Sequence, residues 1–193
     1  QLERFSDALR TAARLGVTPR LRHIANSAAT LARPDAHFDL VRPGLACYGL
    51  SPIPGAAFGL RAAMTARARV LLTKRVPAGT GVAYGHTYVT RRDTTLALLP
   101  VGYADGVPRA ASNSGPVVLG GKVRTIAGRV SMDQIVVDCG DDPVAPGDVA
   151  VLFGPDGPGA DDWARAVDTI NYEIVARFGS ARVPRVYDGL DAP

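Results

Sequence analysis

The stretch "SPIPGAAFG" at residues 51–59 constrains the fold most, because Pro52, Pro54, Gly55 and Gly59 interrupt any helix or ladder that reaches it. The texture of the chain changes across it. Before it, Leu2, Phe5, Ala8, Leu9 and Ala12 share one helical face within residues 2–14, and Gly16 supplies a stop. "LRHIANS" (21–27) reads as a short strand leaving into a polar turn, and "SAATL" (27–31) as a brief helix with Ser27 at its start. "FDLVRPGLACYGL" (38–50) reads as a second strand and turn, apolar enough to be buried. This alternation of helix and strand belongs to α/β folds with parallel strands.

After the interruption the pattern is β-rich, with frequent turn signals. Residues 65–76, 94–102, 116–128, 133–140 and 147–154 read as strands of a compact β-domain or barrel. "GG" at 120–121 predicts a two-residue hairpin turn between "VVL" and "KVRTI". "DDWARAV" (161–167) predicts a helix with acidic residues at its positive end, and "NYEIVARF" (171–178) a second short helix. The expected fold class is therefore α/β followed by β, with a first part over 1–55 and a β-rich part over 60–193.

Composition excludes several classes of function. With 47% hydrophobic and 21% charged residues, the chain is globular rather than disordered. No apolar run approaches the roughly 18 residues that span a membrane. The net charge of +4 comes from scattered arginines with no dense basic block, which argues against nucleic acid as a partner. Cys47 and Cys139 lie far apart and read as small buried residues in a reducing, cytoplasmic setting. His23, His37 and His86 lack metal-ligand spacing, so no metal site is expected. A chain that opens on Gln1 and reaches its first methionine at Met64 reads as a piece of a longer one.

Several motifs carry candidate chemistry, and none decides the matter singly. In "HIANSAAT" (23–30), Ser27 stands where backbone N–H groups favour an anion, or where a serine simply caps a helix. "VRPGLACYG" (41–49) offers Gly44, which permits close approach of a ligand, and sets Arg42 in apolar surroundings, where a structural ion pair is an equal reading. "GVAYGHTY" (81–88) contains Tyr84 and Tyr88, and "PVGYADGVPR" (100–109) contains Tyr103 and Asp105 between glycines. A phenol titrating near 10 needs a partner before it does acid–base work, and a glycine-flanked tyrosine is often a structural plug. "AGRVSMDQ" (127–134) packs Arg129, Met132 and Asp133 between apolar strands, and "TINYEI" (169–174) adds Tyr172.

Taken together and in order, these motifs and "RVPRVY" (182–187) resemble the C-terminal half of the bacterial alanine racemases, nearest to the actinobacterial type. The resemblance implies a pyridoxal-phosphate enzyme with a (β/α)8 barrel followed by a β-rich domain. It assigns residues 1–50 to the last barrel elements and about 60–193 to the β-domain. It makes Ser27, the backbone at Gly44 and Leu45, and the Tyr172 hydroxyl a phosphate cup. Arg42 would face the pyridine nitrogen, with His23 hydrogen-bonded behind it. Tyr84 would be the catalytic tyrosine, acting on the cofactor site of the other subunit of a homodimer. Met132 would bind the substrate carboxylate through its backbone N–H. Tyr103, Asp133, Arg129 and Ile170 would line an access corridor for L- or D-alanine.

Racemisation removes the α-proton from one face and returns one to the other, so it needs two acid/base groups on opposite sides of a planar carbon. In the family these are the tyrosine and a Schiff-base lysine. That lysine, a carboxylate-holding arginine and a ring-stacking histidine belong to a region that precedes the resemblance. Lys74 and Lys122, the two lysines here, fall in predicted β-domain strands. The 193-residue segment alone is therefore expected neither to bind the cofactor tightly nor to racemise. A broad-specificity or serine racemase of the same fold, and a non-enzymatic β-domain, remain alternative readings of the sequence.

Overall fold

A computed structural model describes residues 1–179 and 183–188, so Arg182, which opens the "RVPRVY" motif, lies outside the described residues. The chain divides into two units, Gln1–Ala63 and Met64–Pro193.

In the first unit, helix α1 (Leu2–Arg14) half-covers the predicted face at Leu2, Phe5, Leu9 and Ala12, whereas Ala8 is exposed. Phe5 meets Phe38 edge to face, with ring centroids 5.2 Å apart. Neither predicted strand here forms a regular ladder. The segments around 22–26 and 39–42 run parallel and meet at a single bridge, Asn26 to Arg42. Two amide bonds tie them, Asp39 N–H to Arg22 O at 3.1 Å and Arg42 N–H to Ala25 O at 2.9 Å. Each segment has only this one neighbour within the unit, so the pairing stays too sparse for a strand. The expected burial of 38–50 is corrected for the same reason. Leu45 and Leu50 are buried, but Leu40 and Arg42 are exposed. Cys47, expected inside, is also exposed, on the side of the 3₁₀ turn Leu45–Tyr48 away from buried Leu45.

Helix α2 (Ser27–Ala32) is capped by Asn26 rather than Ser27. The Asn26 carboxamide accepts from the Ala29 N–H at 3.0 Å. Ser27 is thus the first helical residue, and its hydroxyl is free for other partners.

The second unit is built from antiparallel strands. Strands β1 (Ala66–Arg69), β2 (Leu72–Val76), β3 (Gly81–Val82), β4 (Tyr88–Val89) and β5 (Thr94–Leu99) come first. Strands β6 (Pro116–Leu119), β7 (Lys122–Thr125), β8 (Ile135–Gly140) and β9 (Val149–Phe153) follow, then helices α3 (Ala160–Ala166) and α4 (Asn171–Arg177). They form sheets ordered β1-β9-β6-β7, β2-β5-β8 and β3-β4. The run 65–76, which reads as one strand, bends between Val70 and Leu71. Val70 N–H donates to Asp148 O in one sheet and Leu71 N–H to Leu98 O in the next, each at 2.8 Å. One chain segment thereby turns the corner between two sheets. The bridge Ile126–Val137 joins the same two sheets at their other edge.

The predicted hairpin is present, with Leu119 opposite Lys122 and positive φ at Gly120 and Gly121, as a type I′ turn requires. Period-two patterning supplies the core: Val117, Leu119, Ile135, Val137, Ala150 and Leu152 are all buried, and Phe153 joins them. Helix α3 closes it with fully buried Trp163, whose indole N–H donates to Leu152 O.

Candidate functional site

In the first unit, four of the predicted residues pair off along the two parallel segments. Ser27 Oγ accepts from the Gly44 N–H at 3.0 Å and from the Ala46 N–H at 3.3 Å. The Leu45 N–H between them donates to no group among the described residues. Two amides thus hold one hydroxyl, and a third N–H between them stays free, a donor set suited to an oxyanion. Beside this cup, Arg42 Nη1 lies 2.7 Å from His23 Nδ1. A guanidinium only donates, so Nδ1 accepts, and the imidazole is the neutral Nε2–H tautomer. Arg42 makes no ion pair among the described residues.

In the second unit, three separate loops converge on a cavity of about 340 Å³. Tyr84 and Tyr103 line it with Arg129 and the Ser131–Met132 backbone. Tyr84 sits on the turn between β3 and β4, whose two rungs, Gly81–Val89 and Val82–Tyr88, pin its ends. The turn is strained: Ala83 has φ 58° and ψ −169°, and His86 has φ 47°. Its base is anchored by the Tyr88 hydroxyl, which donates to Asp138 Oδ2 on β8 at 2.6 Å. Burial, followed by that bond, pushes the Tyr88 phenol up to about 12. Tyr88 is thereby held neutral as an anchor. Burial pushes the Asp138 carboxyl up, but hydrogen bonds from Thr94, Tyr88 and the Gly140 amide overcome this and hold it below the usual carboxylate range. Tyr84, by contrast, is 73% exposed.

The opposite wall is a clamp of backbone on backbone. Gly102 packs so closely on residues 131–133 that a Cβ there would fall 2.3 Å from Ser131 O. Tyr103 N–H donates to Ser131 O at 3.0 Å and Ala104 N–H to Met132 O at 2.8 Å. Buried Asp105 accepts from the Gly102 N–H at 2.9 Å and closes the turn. The Met132 N–H itself donates to no group among the described residues, which leaves a backbone donor beside the cavity.

Asp133 and Ile170 are exposed and do not line this cavity, and neither does Tyr172, on the first turn of α4. Arg109 does line it, although the motif that contains it gave it no role. Neither Arg109 nor Arg129 is in an ion pair among the described residues. Two unpaired guanidiniums, two phenols and a free amide make a cavity that favours a small carboxylate. Among the described residues, no group of three or more His, Cys, Asp and Glu side chains could hold a metal ion, and no helix is long and apolar enough to cross a membrane. Both lysines fall in the second unit, and Lys122 Nζ is 2.6 Å from Asp142 Oδ1.

Comparison with known proteins matches this geometry to one family. Residues 1–52 match the alanine racemase N-terminal domain and residues 63–187 the alanine racemase C-terminal domain. An alanine racemase of Salinispora arenicola is 73% identical over 192 residues, covering 98% of this chain and 52% of that protein. The crystal structure of alanine racemase from D-cycloserine-producing Streptomyces lavendulae superposes with a TM-score of 0.93 at 57% identity, over 97% of this chain and 51% of that one. Alanine racemase from Bartonella henselae, solved with covalently bound pyridoxal phosphate, superposes with a TM-score of 0.82 at 35% identity, over 96% of this chain and 51% of that one. The chain spans about half the length of the curated relatives it matches. Its architecture is the final part of a (β/α)8 barrel followed by a β-rich domain, and the chain belongs to the alanine racemase family.

Proposed function

We propose that the protein containing this chain interconverts L-alanine and D-alanine with pyridoxal phosphate, in the cytoplasm and as a homodimer whose active sites are shared between subunits. The observation that carries the reading is the convergence of Tyr84, Tyr103, Arg129 and the free Met132 N–H, from three separate loops, on one cavity.

The residues present fit the cofactor. The Ser27 hydroxyl and the Leu45 N–H, with the Gly44 amide that already holds Ser27 Oγ in place, suit its phosphate. Arg42, which can only donate, suits an unprotonated pyridine nitrogen, and His23 Nδ1 fixes the direction of its guanidinium. Bound pyridoxal phosphate supplies an electron sink that acidifies the α-proton of an amino acid joined to it. A cationic partner at the ring nitrogen, where an acid could have stood, keeps that sink moderate and limits transamination.

The chain's other residues handle the substrate. Tyr84 moves a proton at the alanine Cα on one face, in the site of the partner subunit. The Met132 N–H receives the substrate carboxylate. We assign Tyr103, Asp133, Arg129 and Ile170 to the corridor, of which Tyr103 and Arg129 line the cavity described above, where unpaired guanidiniums favour an incoming carboxylate over an uncharged molecule.

The test is turnover by the full-length protein loaded with pyridoxal phosphate, offered L-alanine, L-serine and L-lysine separately. Racemisation of alanine well ahead of the others is expected. No racemisation, or serine preferred to alanine, contradicts the reading.

A further inference from the structure

Two side chains that do not line the cavity tie its walls together. Ser112 Oγ donates to Arg109 O at 2.7 Å and accepts from the Val130 N–H at 3.0 Å. Asn113 Oδ1 accepts from the Gly128 N–H at 2.7 Å, while its Nδ2 donates to Thr87 Oγ1 at 3.1 Å. The Asn113 N–H also donates to Gly128 O at 3.2 Å. Thr87 ends the strained turn that carries Tyr84, and Gly128 directly precedes Arg129. Asn113 has φ 61°, a left-handed conformation that asparagine adopts more readily than other side-chain-bearing residues. Its carboxamide offers a donor and an acceptor together, and it uses one on each loop.

We propose that Asn113 is a positioning residue that fixes the Tyr84 turn against the Arg129 loop and so sets where the Tyr84 hydroxyl stands in the active site. The role rests on the racemase reading above. The Tyr84 turn has only two ladder rungs of its own, and Ala83 and His86 hold it in sparsely populated backbone conformations. A turn of that kind keeps one geometry only when its surroundings over-determine it. Asn113 adds side-chain hydrogen bonds between this turn and the facing loop, where Gly128 also packs closely on Val82 and Ala83.

The experiment uses the full-length holoenzyme with Asn113→Gly and Asn113→Asp. Glycine keeps the left-handed backbone and the main-chain bond to Gly128, and deletes all three side-chain bonds, two to Thr87 and one from the Gly128 N–H. Aspartate keeps the acceptor for the Gly128 N–H and loses the donor to Thr87. Misplacement of a catalytic group by about 1 Å lowers rates on the order of 10²-fold, so kcat of Asn113→Gly is expected to fall roughly 10- to 100-fold, with part restored in Asn113→Asp. The thermal midpoint should change little. With α-deuterated alanine, the isotope effect should grow in one direction of turnover and shrink in the other, because only one face's proton transfer is slowed. A purely structural residue would lower the midpoint along with turnover and leave the isotope effects unchanged. That outcome, or wild-type kcat in Asn113→Gly, overturns the proposal alone. A wild-type protein that does not racemise alanine overturns the functional reading, and this role with it.

Discussion

Replacing Gly102 with alanine tests the backbone clamp that presents Met132. The Gly102 backbone, at φ −149° and ψ −157°, is extended and open to any residue, so the cost is steric. A Cβ there would stand 2.3 Å from Ser131 O, 2.5 Å from Met132 O and 2.6 Å from Asp133 N, where ordinary contact begins at 3.4 Å. Those are backbone atoms and cannot rotate away. The 131–133 loop must therefore recede by about 1 Å, which stretches the bonds from Tyr103 N–H (3.0 Å) and Ala104 N–H (2.8 Å) past useful length. Each is worth about 0.5–1.5 kcal/mol, so roughly 1–3 kcal/mol of stability is lost. Displacing the Met132 amide by that distance should lower kcat/KM on the order of 10²-fold. The assay pairs denaturant unfolding with alanine racemisation by the full-length holoenzyme. Gly121→Ala serves as the control, at a hairpin turn with φ 71° and nothing within 4 Å of the added methyl. It should cost stability alone, about 1 kcal/mol. Wild-type turnover in Gly102→Ala, or equal loss of turnover in Gly121→Ala, would mean that the clamp does not set the position of the Met132 amide.

Three further outcomes follow from the same structure. Trp163→Ala should destabilise the β-rich unit by about 3–5 kcal/mol, measured by denaturant midpoint, since it empties a fully buried site and orphans Leu152 O. The Tyr88 phenol, lying near 12 when folded against an ordinary 10.0, favours the fold in its neutral form. That contribution is whole below pH 10 and declines as pH rises through about 12, so Tyr88→Phe should flatten the alkaline loss of stability over that window. The isolated 193-residue chain, titrated with pyridoxal phosphate, should show neither tight binding nor alanine racemisation.

Much of this was legible in the residues. Alternation marked the buried faces of β6, β8 and β9, and paired glycines marked the β6–β7 turn, because period and turn chemistry are local. Tyr84, Tyr103, Arg129 and Met132 stood out in their motifs, but only the fold puts them around one cavity. What was misread depends on neighbours distant in sequence. The apolar run around Arg42 suggested burial, yet its segment pairs with a single partner and leaves the guanidinium exposed. Ser27 and Asn26 are both good caps, and only the geometry shows that Asn26 takes the Ala29 amide while Ser27 serves Gly44 and Ala46. Arg109 and Asn113 carried no local signal, since their importance lies in what they reach across the fold.

The central claim is that Tyr84 handles the alanine α-proton on one face. Proton NMR in D2O tests it most directly, by following each alanine enantiomer with full-length holoenzyme carrying Tyr84→Phe. The exposed tyrosine should be replaceable within about 0.5 kcal/mol of wild-type stability, so any kinetic change is chemical. Inversion should fall on the order of 10²- to 10⁴-fold while one enantiomer still exchanges its α-proton for deuterium at the remaining acid/base. Inversion at the wild-type rate, or equal loss of exchange from both enantiomers, would contradict it.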